Sequence, residues 1–250
     1  MKNSIILFLT LVYCISGNNV PQLPSFLKIC HRNDPYLNRC IKESVEQLKP
    51  YLNTGIPELN IPPCEPLYID RVDLNQTDGS IFINSYFTDI KIFNSFNSNI
   101  KQLKYDVEKN QLKIKQFVPH FEMLSNYNIN GKIMMLPISG VGSASFNLTN
   151  VDYTLMIQFE PYHEPKTNQK HFRVKNSNID YNIRNLQVHL DNLFNGDDML
   201  EKAMNTFLNN NWKLIVDEVK PTLEETILNI NNNIIDKIFT IYPIDTLLPP

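Results

Sequence analysis

Glycine is scarce in this chain, 7 of 250 residues, and the chemistry that depends on closely spaced glycines finds little to stand on. The one tight pair, Gly140-Val141-Gly142-Ser143-Ala144, lacks the third glycine and the following helix of a phosphate loop. It is no nucleophile elbow either, because Ala144-Ser145 follow Ser143 and no glycine closes the turn. The expected role of these glycines is to let a sheet bend or a strand pass close to another backbone. Histidine is also sparse. His31, His120, His163, His171 and His189 stand in no metal-ligating spacing. C-x-x-C is absent, which removes a redox motif. The carboxylate pairs Asp197-Asp198 and Glu224-Glu225 fall in a helical stretch, where capping and solvation account for them. No enzymatic class, metal or cofactor is implied.

Charge of either sign is equally undistinguished. A formal net charge of −3 with scattered Lys and Arg argues against nucleic acid and anionic membrane surfaces as main partners. Long apolar runs are missing except at the start. There, Met1-Lys2-Asn3 precede the apolar run Ile5–Ile15 and the small residues Ser16 and Gly17, the layout of a secretory signal peptide. The run is too short for a membrane span, which needs about 20 residues. Residues 1–17 are therefore expected to leave an exported, soluble chain of residues 18–250, forming one domain because no linker interrupts it. Two sequons, Asn75-Gln76-Thr77 and Asn147-Leu148-Thr149, fit export.

Cysteine usage agrees. Cys14 departs with the leader, leaving Cys30, Cys40 and Cys64. Cys30 and Cys40 are the better pair, since their bond closes a short loop around Asp34-Pro35 and contributes roughly 2–3 kcal/mol through the unfolded state. Cys64 is expected as a buried small hydrophobe.

What is present is periodicity. Near the C-terminus Leu200, Met204, Leu208, Trp212, Ile215, Val219, Leu223, Ile227, Ile230, Ile234 and Ile238 recur at steps of three or four, one stripe on one helix face. Asp197 and Asp198 suit its start and Pro243 stops it. One unbroken helix would be roughly 60 Å long. A compact ball of this size is about 45 Å across. Either Pro221 breaks the helix, or the molecule is elongated and the remaining chain wraps along it, with Pro221 as a bend.

The preceding chain supplies the wrapping. Asp34-Pro35 predicts a helix start, with Leu37, Cys40 or Ile41, Ser44 or Val45, Leu48 and Leu52 on one face and Pro50 and Gly55 at its end. The proline-rich stretch 55–67 predicts an extended connector. From Leu67 to His189 the period becomes two, as in Ile81/Ile83, Ile90/Ile92, Leu112/Ile114, Ile133/Met135, Tyr153/Leu155/Ile157/Phe159 and Ile179/Tyr181/Ile183. Turns are expected at Asp78-Gly79, Lys109-Asn110, Asn130-Gly131 and Lys166-Thr167-Asn168. Short spacing without intervening helices implies antiparallel neighbours.

Several motifs now line up. The Cys30/Cys40 pair and Gly55-Ile56-Pro57-Glu58-Leu59-Asn60-Ile61-Pro62-Pro63-Cys64-Glu65-Pro66-Leu67 stand at the start. Gly131-Lys132-Ile133 leads to Leu136-Pro137-Ile138-Ser139-Gly140-Val141-Gly142, and Phe207-Leu208-Asn209-Asn210-Asn211-Trp212 marks the tail. On these residues the chain resembles the insect takeout and juvenile-hormone-binding protein family over nearly its whole mature length. Cys64 and Glu65 depart from the larger apolar residue and the Asp usual there. The resemblance implies an α+β fold: a highly curved antiparallel sheet wrapped around one long C-terminal helix, similar to tubular lipid-binding proteins, with a short disulfide-linked helical segment at the N-terminus. It implies a secreted carrier that sequesters a small hydrophobic ligand, a terpenoid or fatty acid or other lipid, in an internal tunnel. It also suggests hormone transport, chemosensation, feeding or circadian output. Expected tunnel contacts are Trp212, Ile215, Val219, Leu223 and Ile227 from the helix, with Ile90, Ile92, Ile133, Met135, Tyr153, Leu155 and Ile157 from the sheet. A monomer is expected, with no stable membrane insertion and no nucleic acid. The competing reading is a secreted interaction protein with a filled core, its surface meeting a receptor or microbial lipid.

Overall fold

The computed structural model describes residues 23–77 and 79–250, so residues 1–22, which include the expected leader, and Asp78 lie outside the described residues. Helix α1 (Leu37–Thr54) comes first, then a 3₁₀ turn (Pro57–Leu59). Six strands follow: β1 (Leu67–Gln76), β2 (Ile81–Phe93), β3 (Asn99–Asp106), β4 (Gln111–Ile133), β5 (Leu136–His163) and β6 (Lys170–Leu190). The chain ends with α2 (Asp198–Asn210), α3 (Trp212–Ile241) and the short α4 (Ile244–Leu247). The disulfide joins Cys30 to Cys40, tying the N-terminal segment to α1. Cys64 is a buried free thiol, and burial pushes it up from its ordinary pKa.

Four details differ from the sequence reading. The helical stripe is broken at Asn211, and α3 runs on through Pro221. Asn211 departs from helical backbone angles, at φ −117° and ψ 13°, and turns its amide back onto the Phe207 carbonyl at 2.8 Å. Asparagine side chains compete for backbone groups in this way, which is why they interrupt helices. Asp197 caps α2 as expected, accepting from Met199 and Leu200. At α1, Pro50 sits inside the helix, and only Gly55, at φ 86°, ends it. The proline-rich connector contains a 3₁₀ turn, because Pro at its first position pre-sets the required φ. Asn130-Gly131 is strand, and the β4–β5 turn is Met134-Met135, with Met134 taking the positive φ.

All strands belong to one antiparallel sheet in the order β1-β2-β4-β5-β6, with β3 also pairing β4. β1 and β6 are the two ends of this path, β3 has a further unpaired side, and α3 packs along β6 and touches β1, lying across the gap between them. The β6 edge is satisfied by helix side chains. Asn205 exchanges two hydrogen bonds with the Leu190 backbone, and Asn209 two with Val188, at 2.7–2.9 Å. Helix residues four apart rise about 6 Å and strand residues two apart about 6.8 Å, so the repeats match. Further along, Asp236 accepts from the Val174 N–H and Asn232 donates to Ser177 Oγ. Amides thus cover an edge that would otherwise template aggregation.

The strands are long because each reverses which alternate residues point inward. Buried positions on β4 are Ile114 and Val118, then Ser125, Tyr127, Ile129 and Ile133. On β5 they are Ile138 and Ala144, then Val151, Leu155, Ile157 and Phe159. The parity flips at Pro119-His120 on β4 and Arg184-Asn185 on β6, each a consecutive exposed pair. It flips at Asn150 on β5 and Asp89 on β2, both with positive φ. Such irregularities bend and twist strands, and they let one sheet keep a single inner face around a helix. Both halves do face α3: the first packs Ile215, the second Ile227, Leu228 and Phe239.

Candidate functional site

The inner face is packed solid at both ends. At the α2 end, Ile81, Ile138 and Leu193 join Tyr127, Ile129, Met204 and Leu208. Gly140 and Gly142 serve this end as expected. A β-carbon on Gly142 would lie 2.1 Å from the Asp191 carbonyl, so only glycine lets the 191–193 segment close over β5. At the other end Phe159, Phe172 and Phe239 form an aromatic group with ring centres 5.0–5.9 Å apart. They are capped by Ile244 and the Cys30 disulfide. Beside them Leu52, Ile56, Leu59, Ile61 and Tyr242 form a third cluster.

Between the ends the packing loosens. By strand alternation Phe121 and Met123 share the face of Tyr127, Leu148 that of Phe146, and Ile183 that of Ile179. All are half-buried. Across from them α3 presents Leu223, Ile227 and Ile230, also half-buried, and Val219 is the residue of α3 that is fully buried. Tyr153 keeps part of its surface accessible, yet burial alone drives its phenol far above its ordinary range. Tyr181, its direct cross-strand partner, is pushed up to about 12 by burial and by the carboxylates of Glu224 and Asp217.

The expected site residues divide accordingly. Tyr153, Leu155, Ile157 and Ile227 come together at the aromatic end, and Ile133 and Ile215 at the α2 end. Ile90 is buried and Ile92 half-buried on β2, on the inner face only because of the flip at Asp89. Met135 is corrected: it sits in the two-residue β4–β5 turn, 90% exposed, and reaches no interior. Trp212 lies at the α2–α3 junction in an open groove of about 440 Å³ with Asn147, Asn185, Gln187 and Asn209. Its neighbours there are mostly polar, since it starts α3 just after the break. Asn75 is exposed on edge strand β1, and Asn147 is half-buried on β5, its Oδ1 3.4 Å from His120 Nε2. Phe121, Met123 and Leu148 were not singled out, and Tyr181 was read only as a strand residue. The two-residue alternation would have found them had its parity held through each strand.

One polar cluster was invisible to spacing rules. His189, Asp191 and Glu201 bring ligand-type atoms within 4.8 Å of one another near the α2 start. His189 Nε2 is 2.8 Å from Asp191, and Ser143 Oγ donates to the same carboxylate. The carboxylate stands between serine and imidazole, so the histidine is not placed to take the serine proton. Among the described residues no helix is long and apolar enough to cross a membrane.

A long helix lies against one open-edged, strongly bent antiparallel sheet that is apolar on its inner side, and this architecture defines the class of fold. Comparison with known proteins agrees. The model of the haemolymph juvenile hormone binding protein family matches residues 6–249, and the chain belongs to that family. Circadian clock-controlled protein daywake of Drosophila melanogaster is 24% identical over 230 residues, 89% of this chain and 86% of the relative. The Drosophila yakuba protein of that name is 22% identical over 229 residues, with the same shares covered. The crystal structure of Epiphyas postvittana Takeout 1 superposes with a TM-score of 0.76 at 24% identity, covering 89% of this chain and all of that one.

Proposed function

We propose that this protein is a secreted carrier that sequesters a small hydrophobic ligand between α3 and the middle of the sheet. The observation that carries the reading is the contrast along the inner face. Large apolar side chains are fully buried at both ends, whereas Phe121, Met123, Leu148, Ile183, Leu223 and Ile230 between them are half-accessible. A filled core would bury the middle as completely as the ends. Membership of a family named for hormone binding points the same way. Burying about 300 Å² of ligand at roughly 25 cal/mol/Å² supplies about 7 kcal/mol before immobilisation costs, which suits a terpenoid or fatty-acid-sized molecule. The contacts we assign are Leu223, Val219 and Ile227 of α3, with Ile92, Tyr153, Phe121, Met123 and Leu148 of the sheet.

Residues 1–17 act as the leader in this reading, and Asn75 and Asn147 carry glycans on the exported chain. The test is to purify the protein from a secreting insect-cell culture, denature it and identify co-extracted small molecules by mass spectrometry. Titration with the lipophilic dye N-phenyl-1-naphthylamine accompanies it. Stoichiometric dye uptake and a recovered apolar compound are expected. Failure to bind the dye, with nothing apolar extracted, overturns the carrier.

A further inference from the structure

The outer face carries a groove for which the carrier reading has no use. It holds about 440 Å³, within the size range of ligand sites, and spans the β6 edge with Trp212 as one wall. Trp212 is the only tryptophan of the chain and is half-buried. The groove also takes in Asn147 of β5 and Asn185 and Gln187 of β6. Asn147 and Gln187 are register partners, so both leave the sheet on one side with β-carbons about 5 Å apart. That side is the outer one, because Leu186 and Val188 turn inward on either side of Gln187. Asn185 stands two residues before Gln187 and shares its face. Among the described residues, the side-chain amides of Asn185 and Gln187 bond no other group.

An indole flanked by primary amides suits a sugar. The C–H face of a pyranose packs on the ring, and its hydroxyl and acetamido groups pair with amides that each offer donors and an acceptor. Lys213 Nζ, 5.6 Å from the indole centre, adds a donor at the rim. A source of sugar lies in the groove itself, since Asn147 opens the sequon Asn147-Leu148-Thr149. Its Oδ1 faces His120 of β4 at 3.4 Å. The amide nitrogen, the atom that takes a glycan, is therefore on the other side, toward β6 and Trp212. Strands lie about 4.8 Å apart, so two linked sugars starting at Asn147 cross β6 and reach the indole beyond its edge. A short tether gives them a millimolar effective concentration, which suits a weak sugar–indole contact.

We infer that this groove seats the protein's own glycan: the N-acetylglucosamine core on Asn147 packs against Trp212 and pairs with Asn185 and Gln187. The inference rests on the export reading above, because an exported chain meets the glycosylating machinery. It is independent of what the inner face holds. The seated sugars lie over the α2–α3 junction beside the Asn209 clamp on Val188, and so cover the sheet edge where that clamp stops. Asn75, the other sequon, is exposed on β1 and outside this groove.

The test uses the full mature chain secreted from insect cells. Peptide mass spectrometry reads the glycan at Asn147, and acrylamide quenching of the single tryptophan reads its docking. The quenching constant is expected to rise about twofold in Thr149→Ala, which loses the sequon. It should stay at the native value in Thr149→Ser, which keeps the sequon, and in Asn75→Gln, which loses the other glycan. In Trp212→Leu, release of the Asn147 glycan from the folded protein by peptide-N-glycosidase should speed up severalfold, and Trp212→Tyr should restore slow release. A glycan present on Asn147 with equal quenching in native protein and Thr149→Ala overturns the docking, as does a release rate that Trp212→Leu leaves unmoved. Bare Asn147 beside glycosylated Asn75 overturns it too. Bare asparagine at both positions overturns the export reading together with it. Uptake of N-phenyl-1-naphthylamine reports on the carrier separately, and its equality in native protein and every variant, with unchanged circular dichroism, confirms that the variants fold.

Discussion

At the α2 end of the molecule Ile81, Ile138 and Leu193 are at most 1% exposed, and a glycine is needed to let the backbone close over them. Half-way along α3, Leu223, Ile183 and Leu148 are just as apolar and just as inward-facing, yet half-accessible. The two regions share one sheet, one helical axis and one residue vocabulary. Composition therefore does not decide which part of an apolar interior is filled. What differs is closure. At the end a bend in the sheet, the α2 helix and the 191–193 segment converge on the same side chains, whereas in the middle α3 alone faces several strands. On the carrier reading proposed above, the ends hold the fold together and the middle is shaped by the ligand.

The largest expected effect comes from removing packing at an end. Leu193→Ala deletes a side chain with no exposed surface and should lower unfolding stability by about 3 kcal/mol or more, because its surroundings are too tightly packed to collapse. Chemical denaturation followed by circular dichroism measures it. A loss under about 1 kcal/mol would mean that the end is as loose as the middle. Next in size is Asn205→Ala. It strips partners from both backbone groups of Leu190 on the sheet edge, and a loss of roughly 2 kcal/mol is expected. Asn205→Asp keeps an acceptor for the Leu190 N–H but buries a carboxylate against the Leu190 carbonyl, so it should lose more than the alanine variant.

The edge clamp shows what was legible in the sequence. The Asn-rich tail was plain, and so were the helix stripe, the period-two strands and the Cys30–Cys40 pair, because each is a local pattern. That Asn205 and Asn209 repeat in step with Leu190 and Val188 depends on a distant strand lying antiparallel beside α2, which no local rule supplies. The parity flips at Asp89, Pro119-His120, Asn150 and Arg184-Asn185 hid themselves in a similar way. On β2 and β4 one long strand read as two short ones, on β5 and β6 only one half of the strand stood out, and the Met134-Met135 turn was displaced onto the more familiar Asn130-Gly131. Met135 entered the expected site by that error. Trp212 entered it through a helix stripe that the Asn211 break does not carry across unchanged.

Alkaline pH gives a third test, one that spans ends and middle together. Burial raises the phenols of Tyr105 and Tyr127 at the ends and Tyr181 in the middle to about 12, and Tyr153 further. The unfolded chain ionises them near 10, so above that pH it binds fewer protons than the folded state. Stability from these groups is complete below about pH 10 and is lost as pH rises through the folded values. Melting temperature should hold steady up to about pH 9 and then fall steeply. In Tyr127→Phe the decline should be shallower, with one of the four groups gone.

The smallest effect on stability is expected where ligand effects are greatest. Leu223 is half-buried on α3 and stands outside every packed cluster, so Leu223→Ala removes few contacts that folding depends on. With the protein stripped of lipid, the substitution should change unfolding free energy by less than about 1 kcal/mol, well below the Leu193 value. With a tight apolar ligand at a hundred times its dissociation constant, the native protein gains about 2.7 kcal/mol by mass action. The variant should gain less, because its affinity falls with the lost contact area. Ligand thus magnifies a difference that the empty protein barely registers. The reverse pattern, a large loss without ligand and no further loss with it, would place Leu223 in a filled core. It would also erase the distinction between the middle of this molecule and its ends.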